Sequence, residues 1–362
     1  MLIISVVGLA LSRMESMMQA ALIREHGGPE QIAVETIERP QPGPGEALVR
    51  IGACALNHLD IFVRRGMPGV PVPLPHISGG DIAGWIESLG PSTSEIAIGS
   101  PVLIDPVIEG NGMLGETRRG GLAEYLTVPV SNLLPIPDAS RMVEFASLPV
   151  AYGTARRMLL TRARLAAGET IVVVGASGGV GVGCVQLGKL ASARVIACTS
   201  SEAKGRKLRE LGADEVVVAP DGQFGKQVWN LTGKAGADVV VDYSGKDTWG
   251  QSLRAVRKGG RLVCCGATTG YEAVTDLRYL WVREIDIRGS DGWSREDLVE
   301  LTRMVETRRL RPVIHGIFPL SRVRDAIEEL EARRAFGKVV VVPDALLDQV
   351  AGTIALFKEG TR

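Results

Sequence analysis

Neither sign of charge dominates this chain. Lysines and arginines number 41, aspartates and glutamates 41, and the formal net charge is zero, so no long-range field draws it to nucleic acid or to an acidic partner. Cysteine is scarce and carries no pairing pattern. Cys54, Cys184, Cys198, Cys264 and Cys265 fall in apolar stretches with no CxxC among them, which argues against a disulfide framework and for buried thiols in a reducing compartment, hence a cytoplasmic protein. Cys264 and Cys265, adjacent in a predicted strand, point to opposite faces and cannot share a metal. No apolar run is long enough to cross a bilayer as a helix. The opening MLIISVVGLALSR is too short, with nothing basic before it and no small-x-small cleavage site after it. Residues 1–17 therefore read as an upstream start or a loose extension, with a targeting segment as the alternative. Internal repeats and low-complexity tracts are missing too.

The most informative stretch that is present is TIVVVGASGGVGVGCVQLGKLAS, residues 170–192. Ile171, Val172, Val173 and Val174 make an unbroken apolar run, the pattern of a parallel strand covered on both faces. Gly175, Gly178, Gly179 and Gly181 follow, where glycine permits positive φ and close approach to a phosphate. The helix beyond directs its N-terminal amides and positive dipole end at the same point, which suits a pyrophosphate. Strand, turn and helix together predict a dinucleotide site at Ser177, Gly178, Gly179 and Val180.

The next strand, ARVIAC (193–198), ends in Thr199, Ser200 and Ser201. A carboxylate there would hold the ribose hydroxyls of NAD. None is present, and Lys204, Arg206 and Lys207 lie one helical turn on. Small hydroxyls beside a cation match a 2′-phosphate, so NADPH is the expected cofactor, with Thr199, Ser200 and Lys204 reading it.

Hydrophobic period and punctuation divide the chain. From residue 18 to 137, short apolar runs such as EALVRIGACAL and SPVLIDPV alternate with glycine and proline turns, a β-rich domain. From 138 to 310 helix and strand alternate, with strands expected at 170–175, 194–198, 215–219, 238–242, 260–265 and 285–289 and helices between them, the last of these covering 247–259. That is α/β, a doubly wound parallel sheet. Over 311–362, VIHGIFPL and GKVVVVP read as strands returning to the first domain, followed by a C-terminal helix.

The segments GETIVVVGASGGVGVGCVQLGK, ALNHLDIFVRRG, RGGLAEY, LPVAYGTA, RKLRELGAD and FGKVVVVP stand in an order that resembles the medium-chain dehydrogenase/reductases, and within them the quinone oxidoreductases. The resemblance covers Met18 to Pro343 and implies a GroES-like catalytic domain joined to a Rossmann domain. Aligned motif to motif with the zinc-dependent alcohol dehydrogenases, the catalytic ligands are replaced: Asn57 stands for the first cysteine, Gly80 for the histidine and Val150 for the second cysteine, with Asp81 at the neighbouring acid. Residues 106–121 lack the four cysteines of a structural zinc loop. Amide, hydrogen and isopropyl do not bind zinc, so no metal is expected; His58 and His76 do not make a tetrahedral set.

Without zinc to acidify a hydroxyl, and with Leu59 in place of the relay hydroxyl, the implied chemistry is hydride transfer from NADPH to an activated acceptor, a quinone or an α,β-unsaturated carbonyl. Asn57 is the expected donor to the developing oxyanion, and Asp60 the residue that orients its turn or a water, with a capping or backbone-bonded carboxylate as the alternative. Phe62 and Pro68 stand where relatives carry pocket tyrosines, which leaves the proton to solvent or a cofactor hydroxyl. The resemblance also places Thr154 near the nicotinamide, and Ser244, Gly266, Ala267, Thr268, Phe336, Gly337 and Lys338 among the cofactor contacts. Acyl thioesters stay open as substrates through Arg64, Arg65, Arg118 and Arg119, although these arginines read as solvated. Two other classes stay open: a nucleotide sensor or structural protein with incidental catalysis, and a zinc-type alcohol dehydrogenase. Relatives commonly dimerise through the edge strand at 285–289, so a homodimer is expected.

Overall fold

Short apolar runs broken by glycine and proline fold the first part of the chain into strands in the computed structural model, which describes residues 16–93 and 96–350. The expected extension, apart from its last two residues, and the tail beyond residue 350 lie outside the described residues. β1 (Met17–Ile23) pairs antiparallel with β2 (Ile32–Glu38) as a sheet of its own. β3 (Glu46–Ala55) is the hub of a larger sheet. β4 (Asp81–Leu89) runs antiparallel along one edge of β3, β6 (Tyr125–Pro129) pairs with the start of its other edge, and β5 (Pro101–Ile104) and β7 (Leu133–Pro135) continue outward from β4.

One helix, α1 (His58–Arg65), lies between β3 and β4; it starts after Asn57 and ends at Gly66, whose φ of 89° is in the region that favours glycine. The short α2 (Met142–Ala146) is wholly buried. A Cβ on Gly52 of β3 would come within 2.8 Å of both Met142 and Trp85. The helical texture that begins near residue 138 therefore starts inside the first unit, which runs to Pro149.

The second unit comprises Val150–Val313 and Ala335–Gly337. Its sheet contains β8 (Thr170–Val173), β9 (Arg194–Thr199), β10 (Glu215–Val218), β11 (Ala237–Val241), β12 (Val256–Cys264) and β13 (Asp286–Gly289), all parallel, in the order β10-β9-β8-β11-β12-β13. α3 (Gly179–Leu190), α4 (Glu202–Glu210), α5 (Gly225–Leu231), α6 (Trp249–Ala255) and α7 (Leu277–Arg283) connect successive strands, and α8 (Arg295–Glu306) follows β13. Ile171–Val173 and Val239–Val241 are fully buried, which explains runs that are apolar on both faces. This is the doubly wound order, reversing between β8 and β11, and such sheets take ligands at the strand carboxyl ends beside that reversal.

Two elements differ from expectation. The helix expected over 247–259 stops at Ala255, because β12 begins at Val256 and carries RKGG within the strand. Gly260 lies so close to the chain there that a Cβ would meet Val256 at 2.6 Å. α7 was not anticipated; Leu277, Trp281 and Val282 are exposed and its inward side is the short pair Tyr279 and Leu280, so no clear stripe reveals it.

The chain then returns to the first unit. β14 (Ile314–Pro319) and β15 (Lys338–Val342) are parallel, and β15 joins the end of β3 antiparallel, which completes the order β14-β15-β3-β4-β5-β7. α9 (Val323–Glu331) lies between them, burying Val323, Ala326, Ile327 and Leu330. Among the described residues no helix is long and apolar enough to cross a membrane.

Candidate active site

The glycine turn sits at the carboxyl end of β8. Gly175 adopts a φ of 67°, and its carbonyl accepts a hydrogen bond from the Tyr243 hydroxyl at 2.9 Å. Gly181, in the first turn of α3, is required by packing: a Cβ would stand 2.5 Å from Tyr243 Oη and 2.6 Å from Ala176. Gly178 is different. A Cβ there would meet nothing nearer than Gly175 O at 3.7 Å, so the chain's own packing does not demand it. It leaves an open face before the unpaired amides of the first turn of α3, the arrangement that takes a phosphate.

The structure gathers most of the predicted cofactor residues around this turn. The Gly337 N–H donates to the Ser177 carbonyl at 2.9 Å, which ties Ala335–Gly337 to it. The Thr268 and Thr269 amides donate to the carbonyls of Tyr243 and Ser244, so Ser244 and Gly266–Thr268 form one hydrogen-bonded pair of loops at the ends of β11 and β12. Asp242, which sequence reasoning missed, organises the first of them. It is fully buried, and its carboxylate accepts from the Ser244 and Gly245 amides and the Thr248 and Ser252 hydroxyls. The run of small donors after it was the available signal.

At the end of β9, Thr199 is buried and its hydroxyl finds no partner among the described residues. An orphaned buried hydroxyl beside an open turn fits a ligand oxygen. Ser200 is exposed and Lys204, on α4, half-buried. One turn on, the Lys207 ammonium lies 5.4 Å from the centre of the Phe336 ring. Thr154 is buried in a short helical turn. The fit to a dinucleotide is thus good, and no acid stands at the end of β9.

The second polar cluster belongs to the first unit. Asp60 is buried, and its carboxylate accepts from the Asn57 N–H and the Gly79 N–H, both at 2.7 Å, so it caps the start of α1 and fastens it to the loop before β4. Desolvation pushes its carboxyl up to about 6, against the pull of those two amides. Asn57 Nδ2 donates to Asp81 Oδ2 at 2.9 Å and makes a longer contact of 3.4 Å with the Ala55 carbonyl. Lys338, expected among the cofactor contacts, is buried and instead commits all three ammonium protons within the first unit, to Leu56 O (2.8 Å), Asn57 Oδ1 (2.5 Å) and Asp81 Oδ2 (2.9 Å). Sequence reasoning read Asp81 and Lys338 separately; nothing in their spacing announces the pair.

The donors present do not fit zinc. Asn57 is engaged by an ammonium, and a side chain at position 80 has no room, since a Cβ there would lie 2.9 Å from the Leu114 carbonyl oxygen. The backbone is packed as tightly from the far side, where a Cβ on Gly115 would stand 2.5 Å from Gly79 C. Among the described residues no group of three or more His, Cys, Asp or Glu is gathered as a ligand set. The His76 ring is buried and His58 half-buried, and desolvation lowers the basicity of both, His58 to about 4. All five cysteines are free thiols. The arginines read as solvated are divided: Arg64 is fully buried and bonds Glu331 at 2.9 Å, while exposed Arg65 pairs with the same carboxylate. The reason is that α1 packs against α9.

Residues 43–138 match the alcohol dehydrogenase GroES-like domain and residues 179–307 the zinc-binding dehydrogenase family. A quinone oxidoreductase from Lama guanicoe is 29% identical over 336 residues, 91% of this chain and 98% of its own. A crotonyl-CoA reductase from Streptomyces avermitilis is 29% identical over 367 residues, 86% of this chain and 82% of its own. Among solved structures, an NAD-dependent alcohol dehydrogenase is similar with a TM-score of 0.85 at 37% identity, over 90% of this chain and 99% of that one.

Proposed function

The chain belongs to the medium-chain dehydrogenase/reductase superfamily, and from that premise we propose that it is a zinc-independent, NADPH-dependent reductase of quinones or α,β-unsaturated carbonyls. One observation carries the reading: an open glycine turn suited to a dinucleotide accompanies a polar cluster that holds an ammonium, not a metal ligand set. Such a cluster cannot acidify an alcohol as zinc does, but an acceptor that is already activated needs only a donor where negative charge develops.

Bound NADPH supplies a hydride. The Ser177–Val180 turn and the amides of α3 hold its pyrophosphate, Thr199, Ser200 and Lys204 its phosphorylated ribose, with the Phe336 ring against Lys207 at that end, and Thr154, Ser244 and Gly266–Thr268 its nicotinamide end. Asn57 donates its amide N–H to the acceptor oxygen, and Asp60 keeps that turn in place. The reduced acceptor takes its proton from solvent. The relatives named for quinones and for crotonyl-CoA, itself an α,β-unsaturated thioester, agree with this acceptor class. The working enzyme is a homodimer in a reducing, cytoplasmic compartment; β13 at the end of the strand order with Ile287 exposed, and the exposed Trp281 and Val282 of α7, support the pairing.

A second reading, an alcohol dehydrogenase, is favoured by the likeness to the NAD-dependent enzyme. One experiment separates the two. After chelator treatment and metal analysis, oxidation of NADPH and of NADH is followed with a quinone, an enone and, in reverse, an alcohol. Metal-free turnover of quinone or enone with NADPH preferred is expected. Stoichiometric zinc with alcohol oxidation would overturn the proposal, and NADPH binding without turnover on any acceptor would favour a sensor.

A further inference from the structure

The polar cluster of the first unit closes on itself. The Lys338 and Asp81 side chains are 1% and 0% exposed. Lys338 donates to Asn57 Oδ1, Asn57 Nδ2 donates to Asp81 Oδ2, and Lys338 donates to the same Asp81 oxygen. In this ring the Asn57 amide has one orientation. Turned over, its NH2 would face the ammonium and its carbonyl the carboxylate, so two charge-assisted hydrogen bonds would become two repulsions. Removing two charges from water is costly, and a buried ion pair contributes little net stability. What the pair does supply is a fixed amide.

We propose that Lys338 and Asp81 are positioning residues that lock the Asn57 amide, with its second N–H kept for the acceptor oxygen. That N–H makes only the 3.4 Å contact with the Ala55 carbonyl. The cation at Oδ1 also polarises the amide and strengthens its N–H as a donor. Where the motif alignment sets a zinc ligand, this chain sets an amide held by a built-in cation. The inference rests on the donor role given to Asn57 in the proposed function.

Three variants test it: Asn57→Ala, the neutral pair Lys338→Met/Asp81→Asn, and all three substitutions combined. The neutral pair removes both charges of the ion pair together, and Asp60 keeps its two backbone amides. In it, kcat with NADPH is expected to fall about 10- to 100-fold, less than the ~100- to 1000-fold loss on removing a transition-state donor outright. The Kd for NADPH, read by fluorescence titration, stays unchanged. When residue 57 is already alanine, the neutral pair costs nothing further, because both changes remove one unit of function. Independently of turnover, the Asn57 side-chain amide protons, identified by NMR through their loss in Asn57→Ala, exchange slowly in the native protein and faster in the neutral pair. A weaker Kd for NADPH with kcat retained would make Lys338 a cofactor contact and overturn the proposal. Losses that multiply with Asn57→Ala, or amide exchange that does not change, would overturn it as well. Should the native protein turn over no acceptor, the proposed function fails, and the exchange measurement alone decides the lock.

Discussion

Single residues decide what the first unit can hold. Gly80 excludes a side chain because the Leu114 carbonyl occupies the space, and the lack of a histidine there was plain in the sequence. The partners of Asn57 were not legible. A lysine opening the run GKVVVVP reads as a polar strand start, and its acceptors lie 281 and 257 residues away in sequence, beyond any periodicity. Two neighbouring residues oppose one another in their response to acid. His58 is lowered to about 4 by desolvation and Asp60 is raised to about 6 by the same cause. As pH falls from 6.5 to 4, the unfolded chain protonates His58 before the folded one does, and stability is lost. As pH falls from 6 to 3.8, the folded chain protonates Asp60 first, and stability is gained. His58→Gln is therefore expected to flatten the acid-side loss, by about 1 kcal/mol at pH 5 after allowing for partial exposure. Urea unfolding of both proteins at pH 7 and pH 5 checks this, and equal slopes would count against a desolvated His58.

At the scale of elements, the central parallel strands β8 and β11 were legible because burial on both faces leaves each an unbroken apolar run. β12 and α7 were misread, since RKGG suits a helix end as well as an irregular strand, and α7 turns the neighbours Tyr279 and Leu280 to the core while Leu277, Trp281 and Val282 stay exposed. The glycine turn was legible as a motif, but its fastening was not. The Tyr243 hydroxyl on Gly175 O and the Gly337 amide on Ser177 O reach it from other parts of the second unit. Tyr243→Phe removes the first of these bonds, worth about 1 kcal/mol. The expected outcome is a Kd for NADPH about 5-fold weaker at little cost in kcat, read by fluorescence titration and steady-state rates. A kcat effect with unaltered Kd would mean that the clamp does not shape the phosphate turn.

For the whole molecule, the two-domain class followed from the change of hydrophobic period along the chain. The edge of the second sheet carries the consequence for assembly. Among the described residues β13 pairs only with β12 and leaves Ile287 exposed, and Trp281 and Val282 are exposed on α7. Ile287→Lys with Trp281→Glu is expected to convert a dimer into a folded monomer, measured by sedimentation at micromolar concentration. A native protein already monomeric there would remove the dimer from the proposal. The position of Lys338 also sets an order in time. A ribosome delivers Asn57 and Asp81 early and the lysine that neutralises the carboxylate only after the whole intervening unit has emerged. The ion pair, and the pairing of β15 with β3, can therefore form only once the last strands of the first unit have been made.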